Sequence, residues 1–455
     1  MSPQPKIEDE DEKEIEMENS NTNSQEKPQV SSIVEHLFRH ESGKMVAILT
    51  GIFGLDHLSL AEDVVQEALA RAFQTWPFYG VPDNPSAWIM RTARNLALDV
   101  VRREKVFREK EPEIVRLMDR EGPTPNSVIF PEQEIADDRL RMMFVCCHPQ
   151  IPPEAQVALA LKTLGGFGVT EISRAFLTTD AAIAKRLTRA KQKIREAQIP
   201  FEIPTGEELG RRLDGVLHSL YLIFNEGYKA SSGDKLIRED VCAEAIRLAG
   251  LLAEYPAGNL PKTHALLALM LFSAARLPAR LDAEGNLLRL QEQDRTLWDR
   301  FMIVRGMYHF TKSATNGDIS EYHLQAGIAA CHSLAQDYAG TDWRQILSLY
   351  NRLREFDPSP VVALNRAVAI AEVDGPQAGL EAVRAIPDLA SLESYYLLHA
   401  VLGEFELRLN HAPAAAVHFR KSLELAEIKS EQAFLAKRLQ VCEEQTTKKE
   451  FEPVS

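Results

Sequence analysis

Apolar residues recur three and four positions apart along most of this chain from residue 31 onward, and no stretch alternates regularly between apolar and polar residues. Such spacing is typical of amphipathic helices, whereas half-buried strands alternate residue by residue. The pattern therefore predicts an all-α fold with three helical blocks, at residues 31–110, 133–198 and 207–443.

The segments outside these blocks differ in composition. Residues 1–30 are acidic, rich in Asn and Ser and almost free of large apolar side chains, which predicts a disordered tail. Residues 111–132 mix charge with Pro and Gly and predict a linker. The chain is thus expected to hold two small helical domains followed by a long helical extension.

Late in the extension, ALNRAVAIAEVDGPQAGLEAVRAI and LLHAVLGEFELRLNHAPAAAVHFRKSL each predict a helix, a short turn and a second helix, about 36 residues apart. Small residues such as Gly403 and Ala415 would let the two helices of a pair approach closely. This repeat favours hairpins of the tetratricopeptide (TPR) type.

The stretch AEDVVQEALARAFQTW, residues 61–76, predicts a helix with one apolar and one acidic side. The core side holds Val65, Ala68, Leu69, Ala72 and Trp76. The opposite side, called the acidic face below, holds Asp63, Gln66, Glu67, Ala70 and Gln74, without Lys or Arg. This face would repel a phosphate backbone and would suit a basic protein surface, or it is simply solvated.

The next predicted helix follows VPDNPSAW, where Asn84 can cap the helix and Pro85 suits its first turn. Its polar side holds Trp88, Arg91, Asn95, Asp99 and Arg102, with Arg94 and Arg103 at the edges. Cationic side chains bind phosphates, and an aromatic ring among them can stack on an unpaired base. Packing of Trp88 on a neighbouring helix, with solvated arginines, is an equally good interpretation.

Residues 169–195, VTEISRAFLTTDAAIAKRLTRAKQKIR, divide into helix, turn and helix, with Thr179 or Asp180 as the cap of the second helix. The outer face of that second helix holds Ala182, Lys185, Arg186, Arg189 and Lys193. A helix with a small, cationic outer face, held by a partner helix, can enter a DNA major groove. A basic helix lying on a membrane is the alternative, but the capped turn favours DNA.

Composition narrows these alternatives. The 455 residues are 45% hydrophobic and 26% charged, as in soluble globular proteins. No apolar run approaches the roughly 20 residues that span a bilayer, and no signal-peptide core is visible, so a cytoplasmic protein without membrane contact is expected. A net charge of −14 argues against coating nucleic acid by bulk attraction, which leaves the local basic clusters.

Three clusters of reactive residues have simple structural explanations. His36 and His40 are spaced for zinc but lack a third ligand nearby, and CCH at 146–148 predicts buried cysteines at a helix end. FNEGY at 224–228 predicts a helix end closed by Gly227. Without a P-loop, nucleophile elbow or dinucleotide fingerprint, we predict no catalytic residue, no metal, no cofactor and no enzymatic activity.

The order of these parts resembles the extracytoplasmic-function (ECF) sigma factors of bacterial RNA polymerase. The resemblance covers residues 31–198 and rests on AEDVVQEALARAF, on PSAWIMRTARNLALDVVRRE, and on the helix-turn-helix with the segment before it. It implies that the acidic face binds core RNA polymerase. The basic helix would then open and read the minus-ten element, including the melted non-template strand, with a base held by the loop PFYGVPDN. The helix-turn-helix would read double-stranded promoter DNA at the minus-thirty-five element through its outer face and Thr179.

The extension resembles that of a particular subgroup. LYLIFNEGYKASSG and FVCCHPQIPPEAQVAL are similar to long ECF sigma factors with a C-terminal TPR-like extension. In that subgroup the extension is thought to regulate the sigma factor, which implies a regulatory protein as a further partner. Two other functions remain open: a helix-turn-helix regulator that acts without polymerase, and a helical TPR scaffold that binds a peptide.

Overall fold

The computed structural model describes residues 33–34, 37, 41–103, 132–175, 178–229, 237–256, 258–315 and 319–451. In these residues the regular elements are helices, apart from a single β-bridge between Leu281 and Leu287. The predicted all-α fold is confirmed. The chain divides into two compact units, of which the first ends at Ser219 and the second begins at Leu220.

The first unit begins with α1, helical over residues 41–53. Its further helices are α2 (Leu58–Tyr79), α3 (Pro85–Arg103), α4 (Glu132–Cys146), α5 (Pro153–Thr163), α6 (Val169–Ala175), α7 (Asp180–Glu196) and α8 (Gly206–Tyr228), which crosses the boundary. The predicted tail, and the predicted linker up to residue 131, lie outside the described residues. The predicted domain boundaries stay predictions.

The second unit continues with ten helices in its described part. They are α9 (Glu239–Glu254), α10 (Pro261–Ala274), α11 (Arg300–Ser313), α12 (Glu321–Leu334), α13 (Trp343–Phe356), α14 (Pro360–Asp374), α15 (Pro376–Arg384), α16 (Tyr396–Arg408), α17 (Ala412–Leu425) and α18 (Lys429–Phe451). None of the helices in the described residues is long and apolar enough to cross a membrane.

The amphipathic pattern of α2 fixes how the first unit packs. All five residues of its predicted core side are buried, and α2 packs against α3. The helix ends at Gly80, whose φ of 80° is in the left-handed region that favours glycine. The side chain of Asn84 then accepts the N–H of Ala87 at 3.0 Å, which confirms the predicted cap of α3.

The helix-turn-helix is held by hydrogen bonds at the start of α7. Thr179 is the N-cap, and its hydroxyl accepts the N–H of Ala182 at 3.2 Å. The Asp180 carboxylate accepts the hydroxyls of Thr170, at 2.6 Å, and of Ser173, both on α6. These bonds tie the two helices together across the turn, of which residues 176–177 lie outside the described part.

The repeat in the second unit takes the predicted form of two helical hairpins, α14–α15 and α16–α17. A Cβ at Gly403 would lie 3.0 Å from the ring of Phe419, so glycine lets α16 and α17 approach closely. The buried hydroxyl of Ser422 donates to the carbonyl of Tyr396 at 2.8 Å. Their likeness to TPR hairpins stays a prediction.

The prediction that FNEGY lies at a helix end is confirmed, because α8 ends at Tyr228, but Gly227 does not close that end. Helix α8 continues through Tyr228, and a Cβ at Gly227 would lie 2.7 Å from the backbone nitrogen of Cys242. Gly227 therefore permits a close approach between α8 and the start of α9 rather than closing a helix.

Candidate nucleic-acid interface

The acidic face of α2 is open to solvent. Asp63, Gln66, Glu67, Ala70 and Gln74 are all exposed. Arg71 borders this face and pairs with Glu67 at 2.9 Å, which partly offsets the negative charge there. Spacing of four residues in a helix brings the two side chains together.

Helix α3 presents a row of polar side chains. Arg91, Asn95, Asp99 and Arg102 are exposed at spacings of three and four, and Arg94 is half-buried. Nothing is described for the side chain of Arg103, which closes the helix. This row, called the basic row below, gives two guanidinium groups, one amide and the Asp99 carboxylate along a single side. The guanidinium groups suit phosphates, and the amide suits base edges.

Trp88 packs against its neighbour. Its ring meets that of Trp76 edge to face, with 5.5 Å between centroids and an interplanar angle of 68°. Trp76 is only 3% exposed, so the pair joins α2 to α3. Such pairs add about 0.5–1.5 kcal/mol beyond burial. One side of Trp88 is thus used in packing, as the alternative interpretation held, and the indole remains half-buried.

Aromatic side chains also lie where α2 ends and the predicted base-holding loop begins. Phe78 is 75% exposed and Tyr79 is 88% exposed. Exposed rings of this size can stack on bases that have left the duplex.

The outer face of α7 is cationic but not uniformly free. Lys185, Arg189 and Lys193 are exposed. Arg186 is half-buried and pairs with Glu154 of α5 at 3.0 Å. Ala182 is also half-buried, and Thr179 uses its oxygen as the cap. The side chains open to a ligand are therefore three of the six predicted on this helix.

An ion pair between α2 and α7 was not predicted. The Glu62 carboxylate binds the Lys191 ammonium, and its other oxygen lies 3.4 Å from the hydroxyl of Thr163. Glu62 is buried on the core side of α2, where the other residues are apolar. A carboxylate at a buried position indicates a cation partner in the core. The sequence does not show which Lys or Arg that partner is.

Backbone packing reinforces this contact. A Cβ at Gly43 of α1 would lie 2.6 Å from the carbonyl oxygen of Leu164, which follows α5. A small cavity of about 30 Å³ remains beside it, lined in part by Glu62, Gln66 and Thr163. The α1–α3 segment and the helix-turn-helix segment are therefore in direct contact within the first unit.

The cysteine pair at the end of α4 is part of the core. Cys146 and Cys147 are buried and free, and burial raises the pKa of Cys147 to about 12. A thiol with such a pKa is unreactive at neutral pH. No group of three His, Cys, Asp or Glu side chains that could hold a metal occurs in the described residues. His36 and His40 lie outside them.

Two family models match the chain. Sigma-70 region 2 matches residues 37–106, which include α2 and α3. A family of unknown function (DUF6596) matches residues 212–314. No solved structure matches the chain.

Two curated proteins are similar over longer segments. The uncharacterized protein R00370 of Rhizobium meliloti (strain 1021) is 39% identical over 386 residues, which are 84% of this chain and 90% of that protein. The ECF RNA polymerase sigma factor SigE of Mycolicibacterium smegmatis (strain ATCC 700084 / mc(2)155) is 28% identical over 163 residues, which are 36% of this chain and 60% of that protein.

These matches agree with the faces described above. The sigma-70 region 2 match contains both the acidic face and the basic row of α3, and the relationship to the Rhizobium protein extends through most of the chain. The chain belongs to one family with that protein, and it is an ECF sigma factor with a C-terminal extension.

Proposed function

We propose that this sigma factor binds core RNA polymerase through the acidic face of α2 and directs it to promoters through α3 and α7. The observation that carries the proposal is the division of charge in the first unit. An exposed acidic face on α2 and an exposed basic row on α3 lie within the same sigma-70 region 2 match. Carboxylates repel phosphates, so the acidic face suits a basic protein surface and the basic row suits DNA.

The minus-ten element would be read from the α2–α3 junction. Phe78 and Tyr79 supply exposed rings there, and Asn95 and Arg102 supply polar groups along α3. Extruding a base costs a few kcal/mol, which stacking and hydrogen bonds at this junction would offset. The minus-thirty-five element would be read by Lys185, Arg189 and Lys193, which are the cations of the outer face that remain open.

Reading both elements requires the first unit to open. The elements are about 25 base pairs apart, or roughly 85 Å of duplex. Helix α2, with 22 residues, is only about 33 Å long, and it contacts both α3 and α7. The two DNA-reading helices therefore cannot reach both elements while Glu62 holds Lys191. We infer that the ion pair breaks when the protein engages polymerase and promoter.

The second unit would regulate this opening, with a regulatory protein as its partner. The protein would act in the cytoplasm, where the polymerase is, and the polymerase would carry out the chemistry of transcription.

The test is transcription in vitro by core polymerase on a pooled promoter library, with and without the full chain. Start sites that depend on the chain, and that share two upstream sequence elements, are expected. Asp63→Arg should abolish them while leaving duplex binding intact, and Asp374→Arg, the same change on an exposed site of the second unit, should not.

Duplex binding without new start sites, together with no binding to core polymerase, would favour the regulator that acts without polymerase. If the full chain bound neither DNA nor core polymerase, the helical scaffold would be favoured.

A further inference from the structure

Helix α11 in the second unit exposes large apolar side chains on one side. Phe301 is 70% exposed, Val304 66% and Tyr308 58%. Their spacing of three and four residues places them on one face of the helix, called the aromatic stripe below. Scattered apolar residues on a surface are ordinary, whereas a row of two aromatics and a valine marks a contact surface.

The opposite side of α11 is the side that packs against its neighbours. Ile303 and Gly306 are buried, and a Cβ at Gly306 would lie 2.8 Å from the ring of Phe272 on α10. The helix is therefore packed as closely as its backbone allows on that side. Of the aromatic stripe, Tyr308 touches this side through an edge-to-face contact with the ring of His309, with 5.1 Å between centroids. The larger part of each stripe side chain stays open to solvent.

Cations surround the aromatic stripe. Arg305 lies over the ring of Phe301, with 5.7 Å to the centroid, and Lys312 lies over the ring of Tyr308 at 5.8 Å. Helix α11 has no Asp or Glu, although the chain has a net charge of −14. Within the described part of the chain no carboxylate pairs with Arg305 or Lys312, and that of Asp299 caps the helix by accepting the N–H of Met302.

We propose that the aromatic stripe of α11 docks a separate protein that presents an apolar helix face bordered by carboxylates. Aromatic residues and arginine dominate the binding energy of protein interfaces, and a carboxylate that approaches Arg305 would make a charge-assisted pair as water is excluded. This proposal is independent of promoter recognition, and it gives a binding site to the segment that matches the family of unknown function.

The same features argue against two other occupants. A second copy of this chain in a two-fold dimer would bring the cations of one stripe toward those of the other. Single-stranded nucleic acid is held by a groove of cations with stacking rings, whereas Val304 in the middle of the stripe offers no face for a base.

The test uses a labelled synthetic helical peptide with leucines at positions i, i+3, i+4 and i+7 and glutamates at the flanking positions. Its fluorescence anisotropy is titrated with the full chain. We expect saturable binding that weakens with salt, and at least tenfold weaker binding of a peptide with lysine in place of each glutamate. No binding of the glutamate peptide, or equal binding of both peptides, would overturn the proposal.

Variants locate the site. Phe301→Ala with Tyr308→Ala, and separately Val304→Glu, should weaken binding at least tenfold with little change in the melting temperature, because more than half of each side chain is exposed. The matched controls are Phe356→Ala and Val417→Glu, whose wild-type side chains are 49% and 61% exposed elsewhere in the second unit. Equal losses in the controls, competition by a single-stranded oligonucleotide, or a dimer that Val304→Glu dissociates would each contradict it.

Discussion

Helices α7 and α11 are both cationic and both packed on one side, yet their outer faces differ in kind. Helix α7 exposes Lys185, Arg189 and Lys193 among small or polar side chains. Helix α11 exposes Phe301 and Tyr308 beneath its cations. Under the two proposals above, positive charge alone does not distinguish the helix that reads DNA from the helix that docks a protein. The size and polarity of the side chains between the cations would make the distinction.

The buried sides of the two helices differ as well. On its buried side, helix α7 is held by an apolar stripe and by the ion pair of Lys191 with Glu62. Helix α11 is held by close approach of its backbone at Gly306 to the ring of Phe272. An ion pair can be exchanged for water or for another partner at modest cost, whereas a close-packed ring contact cannot move without leaving a void. We therefore expect α7 to be the more readily released of the two.

The largest effect is expected on DNA binding. Arg189→Glu with Lys193→Glu should lower the affinity for promoter duplex about 100-fold or more. Each phosphate contact releases counterions from the DNA, and this favourable contribution is lost together with the contact. The slope of log affinity against log salt should fall by about 2. The matched double variant on α11, Arg305→Glu with Lys312→Glu, should leave both values unchanged. Fluorescence anisotropy over a salt series measures the affinity and its salt slope. Equal losses of affinity in the two double variants would contradict the proposal that α7, and not α11, binds DNA.

The next effect concerns the buried side of α7. Lys191→Met leaves the Glu62 carboxylate, which is only 11% exposed, without its cation, and should lower the free energy of unfolding by about 2 kcal/mol. Adding Glu62→Gln should recover most of that loss, since no charge then remains buried. Urea denaturation of the full chain measures both variants. Lys193→Met, on the exposed side of the same helix, is the control and should change stability by less than about 0.5 kcal/mol.

An effect of similar or smaller size is expected on the buried side of α11. Gly306→Ala would place a methyl group 2.8 Å from the ring of Phe272, which is fully buried and cannot move away. Overpacking of this kind should cost about 1–3 kcal/mol by the same urea measurement. Gly250→Ala in α9 meets no atom within 4 Å and should instead stabilise the protein by up to about 1 kcal/mol. Stabilisation by both changes would show that α11 is loosely packed.

Local patterns were enough to predict the helices and their sides. The burial of Val65 and Ala72, the cap at Asn84 and the cap at Thr179 each follow from residues within one turn of each other, where periodicity and capping rules apply. The pair of Arg71 with Glu67 could also have been predicted, since its spacing of four is a standard helical pair.

Contacts between distant segments could not be predicted in this way. Glu62 and Lys191 are 129 residues apart, and the buried carboxylate indicated only that some cation must lie nearby. The two interpretations of Trp88 likewise depended on whether the ring of Trp76 stood within reach, which only the packing of α2 against α3 decides. The aromatic stripe of α11 became visible only once Gly306 and Phe272 had fixed which side is buried.

The smallest effect is a pH dependence of the folding stability, which arises from His309 on α11. Burial, with His264 and Arg305 nearby, lowers the pKa of His309 to about 4, and its Nδ1 lies 2.9 Å from that of His264. The unfolded state therefore binds more protons between pH 4 and the ordinary histidine pKa of about 6.5. Stability is fully present above pH 6.5 and is lost as the pH falls toward 4, by about 1–2 kcal/mol once solvent screening is allowed for.

His309→Gln keeps a hydrogen-bonding side chain beside His264 but cannot be protonated in this range. Relative to the wild-type chain, the variant should therefore gain stability as the pH falls from 6.5 to 4, and the difference should be constant above pH 6.5. Urea denaturation at a series of pH values tests this. A difference that did not change with pH would mean that His309 is as accessible to protons in the folded chain as in the unfolded one. Its contact with His264 would then be too loose to hold α11 in the position that exposes the aromatic stripe.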